Sequence, residues 1–136
     1  MANLKISTTL RNNMLDEITT YAGTSAVLKI YSGSQPSGGG TGTTVLAQLT
    51  CNATSFANNA AAGSITLNAI TQGTASASGT ATWFRIEQSG GTWVMDGDIS
   101  TTAAGTGDLQ LNDTSIVING TVALSGPNTI TAPNAA

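Results

Sequence analysis

The stretch Thr80–Asp98, TATWFRIEQSGGTWVMDGD, decides the fold. Thr82, Phe84, Ile86 and Gln88 alternate with Trp83, Arg85, Glu87 and Ser89, the period of two that a strand imposes on side chains facing opposite sides of a sheet. Gly90-Gly91 supplies the positive φ of a two-residue hairpin loop, so a second strand returns from Thr92. With Ser89 opposite Thr92, Ile86 faces Met95, Gln88 faces Trp93, Arg85 faces Asp96 and Trp83 faces Asp98. One face of this hairpin is mostly apolar and enters a core. The other holds Trp83 and the Arg85–Asp96 pair, and it reads as only partly covered.

Upstream of the hairpin, Asn3–Ser7 alternates with Leu4 and Ile6 on one side and reads as an arm that docks on a neighbour. Thr8 or Thr9 then caps a helix over Leu10–Ala22, whose apolar positions Leu10, Met14, Ile18 and Tyr21, joined by Leu15 and Ala22, predict a stripe packed on the sheet. Asn12, Asn13, Asp16, Glu17, Thr19 and Thr20 take the opposite side, and Gly23 ends the helix. Strands follow at Ala26–Ser32, Val45–Cys51 and Gly63–Ile70. The segment Gly33–Thr44, GSQPSGGGTGTT, is too rich in glycine to hold a shape without outside contacts.

Downstream, Ile99–Gly107 reads as a loop and Asp108–Asn112 as a strand with Leu109 and Leu111 on one face. In Ser115–Ser125, Asn119-Gly120 predicts a type I′ hairpin with Val117 opposite Val122, covered on both sides. Pro127 and Pro133 bracket a last strand at Asn128–Thr131. About eight short strands with glycine-rich turns and one helix near the start predict an all-β jelly-roll β-sandwich, a single domain over residues 1–136 with a short N-terminal arm and helix.

Composition narrows function by exclusion. Only 8% of residues are charged, against about 25% in an ordinary soluble domain. Hydroxyls and amides are easier to strip of water than ions, so such a surface favours contact with another protein. A net charge of −3 with no basic cluster argues against nucleic acid. The opening MANLKISTTL lacks the apolar core of a signal peptide, and no run approaches about 18 apolar residues, which implies synthesis in a cytoplasm and no membrane span. The single Cys51 reads as a small core residue.

The chain has no histidine, which removes the commonest general base and the usual nitrogen ligand of a metal. Glu87 falls opposite Val94, away from any other acid, so a carboxylate pair at the controlled separation of glycoside hydrolysis would have to come from Asp96, Asp98, Asp108 and Asp113 across loops, and Asp96-Gly97-Asp98 lacks the rest of an EF-hand loop. We therefore expect no catalytic residues, no cofactor, no metal and no small-molecule substrate. Trp83 and Trp93 fall on opposite faces in the register above, which argues against a single stacking platform for sugar.

The segments LKIYSGSQP (Leu28–Pro36), VLAQL (Val45–Leu49), GTATWFRIE (Gly79–Glu87), MDGDIS (Met95–Ser100), DLQLN and the NGT turn resemble the small virion proteins of tailed bacteriophages, and more narrowly the capsid cement or decoration proteins of the kind described for a Bordetella phage. The resemblance implies a jelly roll on the outside of the assembled head, present as a homodimer and bridging capsomers of the major capsid protein. It implies no functional residues of its own. Leu4, Ile6, Trp83 and Arg85 are expected at the interface, on the premise that apolar and arginine side chains on an incompletely covered face dominate contact energies. A tail or fibre module, or a carbohydrate-binding β-sandwich, is the alternative.

Overall fold

The computed structural model describes residues 4–57, 60–125 and 128–131. Asn3 of the arm, Pro127 and Pro133 lie outside the described residues. Among the described residues the chain is mostly β with one α-helix. In order, the elements are α1 (Thr8–Ala22), β1 (Val27–Ser32), a 3-10 turn (Ser37–Gly39), β2 (Thr44–Thr50), β3 (Ser64–Thr66), β4 (Gly73–Thr74), β5 (Gly79–Thr80), β6 (Trp83–Glu87), β7 (Trp93–Thr101), β8 (Leu109–Leu111), β9 (Ser115–Ile116), β10 (Thr121–Val122) and β11 (Thr129–Thr131).

A five-stranded sheet in the order β2-β1-β6-β7-β8 forms the body, antiparallel except for the parallel β7–β8 pair. Single bridges continue it at both margins, Ala47 with Ala75 beside β4 and Leu111 with Leu124 beyond β10. The sheet therefore curls on itself. The remaining strands form two-stranded ribbons, β10-β4, β11-β3 and β5-β9. Leu28, Ile30, Leu46, Leu49, Phe56, Ile65, Phe84, Ile86, Leu109 and Leu111 fill the interior, each contributing about 1.5–3 kcal/mol by leaving water.

The decisive hairpin keeps its expected register from Trp83–Asp98 through Ile86–Met95, then slips. Glu87 pairs with Trp93, and the N–H of Gln88 donates to Thr92 O at 2.8 Å. Val94 is thus an extra residue on β7, and the loop is Ser89–Gly91 with the positive φ of +92° at Gly91 alone. Since a slip of one residue exchanges the faces of a strand, Trp93 joins Glu87, Arg85 and Trp83 on one side. The expectation that the tryptophans face opposite ways is corrected.

Two further expectations change. Ser7, not Thr8 or Thr9, caps α1, its Oγ accepting from Leu10 N–H at 3.1 Å. The buried side of α1 is Arg11, Leu15 and Ala22 with Ile18 partly covered, packed on β3 and β7, while Leu10, Met14 and Tyr21 point to solvent. Asn12 and Asp16 flank the buried stripe, so their side chains accept from the N–H groups of Gly63 (3.0 Å) and Ala60 (2.7 Å) instead of facing water.

The predicted Asn119-Gly120 hairpin does not pair with itself. Asn119 alone takes positive φ, +67°, and Gly120 N–H closes the turn on Val117 O at 2.8 Å. The two arms of the turn pair outward, β9 with β5 and β10 with β4, because the intervening backbone of Ala75 bonds to Asn119 and Gly120. Val117 and Ile118 consequently stand exposed at the tip. Ile99–Thr101, read as loop, extends β7 because β8 offers it a parallel partner.

Candidate functional site

Two surfaces carry the apolar and charged side chains that a binding role needs, and they are built differently. On the outer face of the five-stranded sheet, Tyr31 of β1 stacks on Trp83 of β6 with ring centroids 4.1 Å apart and planes 9° from parallel. Their strands place them directly opposite, which brings two flat rings to contact distance. The Arg85 guanidinium lies 5.4 Å from the Trp83 ring centre and grips Asp96 in a bidentate pair, Nε to Oδ1 at 2.7 Å and a terminal nitrogen to Oδ2 at 2.8 Å. Lys29 Nζ reaches Glu87 at 2.8 Å alongside.

This face is closed by residues 33–43, the glycine-rich segment. Its base is tied down where Thr82 Oγ donates to Gly33 O at 2.6 Å, Trp83 Nε1 donates to Ser32 O at 3.3 Å, and Thr43 Oγ donates to Ser32 O. Glycine is required by proximity: a Cβ at Gly39 would sit 2.5 Å from the Trp93 ring, and one at Gly42 would collide with the Tyr31 ring. The strap therefore finds within its own chain the outside contacts that its composition demanded.

The cover changes the standing of the expected interface. Trp83 is 1% exposed and Arg85 6%, so the expectation that these two side chains are open to a partner is corrected, while Trp93 and Lys29 leave the face covered only in part. Of the four residues, Leu4 is 87% exposed and Ile6 half-buried, while Trp83 and Arg85 lie side by side on the sheet face. The chemistry of the covered face agrees with its burial. Desolvation raises the Tyr31 phenol above its ordinary value, and the hydrogen bonds that the Arg85 guanidinium donates to Asp96 raise the guanidinium. With Trp83 buried, only Trp93, 44% exposed, offers a ring to a ligand on this side.

The second surface is the outward side of α1. Leu10, Met14 and Tyr21 recur at the spacing that superimposes residues along a helix, with Glu17 among them, and Leu4 lies just ahead in the chain. Each apolar stripe of α1 contains one charge, Glu17 on the exposed stripe and Arg11 on the buried one. Periodicity alone cannot rank them. Val117 and Ile118 add an exposed apolar tip at the Asn119 turn.

Elsewhere the structure offers little chemistry. Burial pushes the Cys51 thiol up to about 11, which keeps it protonated and unreactive at neutral pH. Asp96, the first acid of Asp96-Gly97-Asp98, is committed to Arg85, and Asp108 Oδ2 accepts from the Asp98 N–H at 3.1 Å. Among the described residues no three histidine, cysteine or acidic side chains converge as a metal site, and no helix is long and apolar enough to cross a membrane. Comparison with protein families, characterised proteins and solved structures finds no match to this chain.

Proposed function

We propose that this chain is a structural virion protein that binds the outer surface of a tailed-phage head, as a dimer, and cements neighbouring capsomers of the major capsid protein. The observation that carries the reading is a surface poor in ions that nonetheless exposes large apolar side chains, Leu4, Leu10, Met14 and Tyr21 at α1 and Val117 and Ile118 at the Asn119 turn. Covering such a surface removes apolar area from water with few charges to dehydrate. We read the curled sheet and its ribbons as a jelly-roll sandwich, whose rigid layers would hold these patches at fixed separations. The resemblance of LKIYSGSQP, GTATWFRIE and MDGDIS to phage cement proteins supplies the partner.

Co-sedimentation with empty expanded heads tests the proposal. The wild-type chain should travel with the heads and raise their resistance to heat. A Leu10→Ser, Met14→Ser, Tyr21→Ser variant should remain in the supernatant while melting within a few degrees of the wild type. A wild-type chain that ignores heads, or a triple variant that decorates them equally well, would overturn it.

A further inference from the structure

We propose that the first turn of α1 is a binding site for an oxyanion, built from Arg11, the exposed N–H groups of Thr8 and Thr9, and Lys5. The chain has four cations, and two are spent inside the sheet as the Lys29–Glu87 and Arg85–Asp96 pairs. The other two, Lys5 and Arg11, fall on either side of the helix start in the chain. Lys5 is exposed two residues before the cap, whereas Arg11 is only 7% exposed.

Arg11 is the independent sign of a ligand. Its guanidinium leans back toward the helix start, as long side chains on helices do, and a terminal nitrogen donates to Thr8 Oγ1 at 3.3 Å. That neutral hydroxyl is its one partner among the described residues, and its buried Nε has none. An arginine cannot shed its proton to relieve burial, so a charge held this way calls for an anion.

The helix terminus adds to the same demand. The Ser7 side chain and carbonyl satisfy the N–H groups of Leu10 and Arg11, which leaves those of Thr8 and Thr9 without partners among the described residues. No acidic residue occupies the first turn to answer the positive end of the helix. A carboxylate or phosphate oxygen seated on Thr8 and Thr9 would take two backbone donors at the turn whose Thr8 hydroxyl the guanidinium already reaches. The inference stands apart from the cement reading. The anion is either a free ion or an acidic side chain presented by another protein.

Amide and arginine Nε–H resonances of the full chain, followed while adding inorganic phosphate in one arm and N-acetylglutamate amide in the other against sodium chloride of equal ionic strength, decide between these. Saturable shifts at Thr8, Thr9 and Arg11 are expected. Phosphate alone producing them assigns a free ion, and the glutamate probe producing them assigns a protein side chain. Arg11→Gln should weaken the fitted affinity about tenfold, the effect of losing one hydrogen bond to a charged group, and Arg11→Lys should restore part of it. Shifts no larger than those with chloride, or an unchanged curve in Arg11→Gln, overturn the site. Should Arg11→Gln fail to fold, the wild-type Arg11 Nε–H decides alone: if it does not saturate with either probe, there is no site.

Discussion

The outer face of the sheet and the outer face of α1 both present large apolar side chains beside a charge, yet the first is mostly covered and the second bare. Tyr31 lies under Gly42 of the strap with Trp83 and Arg85 buried beside it, whereas Leu10, Met14 and Tyr21 are exposed among the described residues. The contrast teaches that residue type marks a surface as apolar, but a distant segment decides whether the molecule covers it itself. In this chain the cover meets the rings through glycine, Gly39 on Trp93 and Gly42 on Tyr31, because a Cβ at either position would collide with the ring.

The largest expected effect lies under the strap. Asp96→Ala leaves the Arg85 charge buried without its partner and should destabilise the chain by about 3–5 kcal/mol in denaturant unfolding. Should the loss be below about 1 kcal/mol, the pair behaves as a surface ion pair and the face is open in solution.

Gly42→Val comes next. Its side chain cannot share space with the Tyr31 ring, so the strap must lift, at about 1–3 kcal/mol. Tryptophan emission should shift to the red and become accessible to acrylamide. Unchanged emission would mean that the strap does not seal Trp83.

The same variant sharpens the comparison through pH. Burial raises the Tyr31 phenol, so the folded state keeps this proton more tightly than the unfolded chain does. The associated stability is fully present below the ordinary value of 10.0 and is lost as pH rises through the higher folded value. Ultraviolet titration of Tyr31 should therefore lie above 10 in the wild type and move back toward it in Gly42→Val.

The smallest effect on stability belongs to the bare face. Met14→Ser or Tyr21→Ser should change unfolding free energy by no more than about 0.5 kcal/mol, since neither side chain fills the core. A loss of several times that amount would show that α1 is covered on this side as well, and the comparison would fail.

Much of the architecture was legible in residue order. Alternation through Trp83–Glu87 and the matching run from Met95 placed Arg85 opposite Asp96, because pleat geometry allows one partner per position once a pair is known. Val94 was not legible. The loop settled on three residues with Gly91 alone at positive φ, and the surplus residue turned Trp93 over. Similarly, Asn119 announced a turn, but whether its arms pair with each other or with β4 and β5 depends on backbone brought from residues 73–80.

The candidate surfaces follow the same division. Strand alternation, the single helix and the scarcity of ions come from the sequence alone, since they reflect local geometry and composition that each residue carries wherever it folds. Which stripe of α1 meets the core, and whether Trp83 sees water, emerged only from the assembled structure. Burial is a relation between segments far apart in the chain, and two stripes each carrying one charge, or a strap of glycines, hold no local sign of what they will lie against.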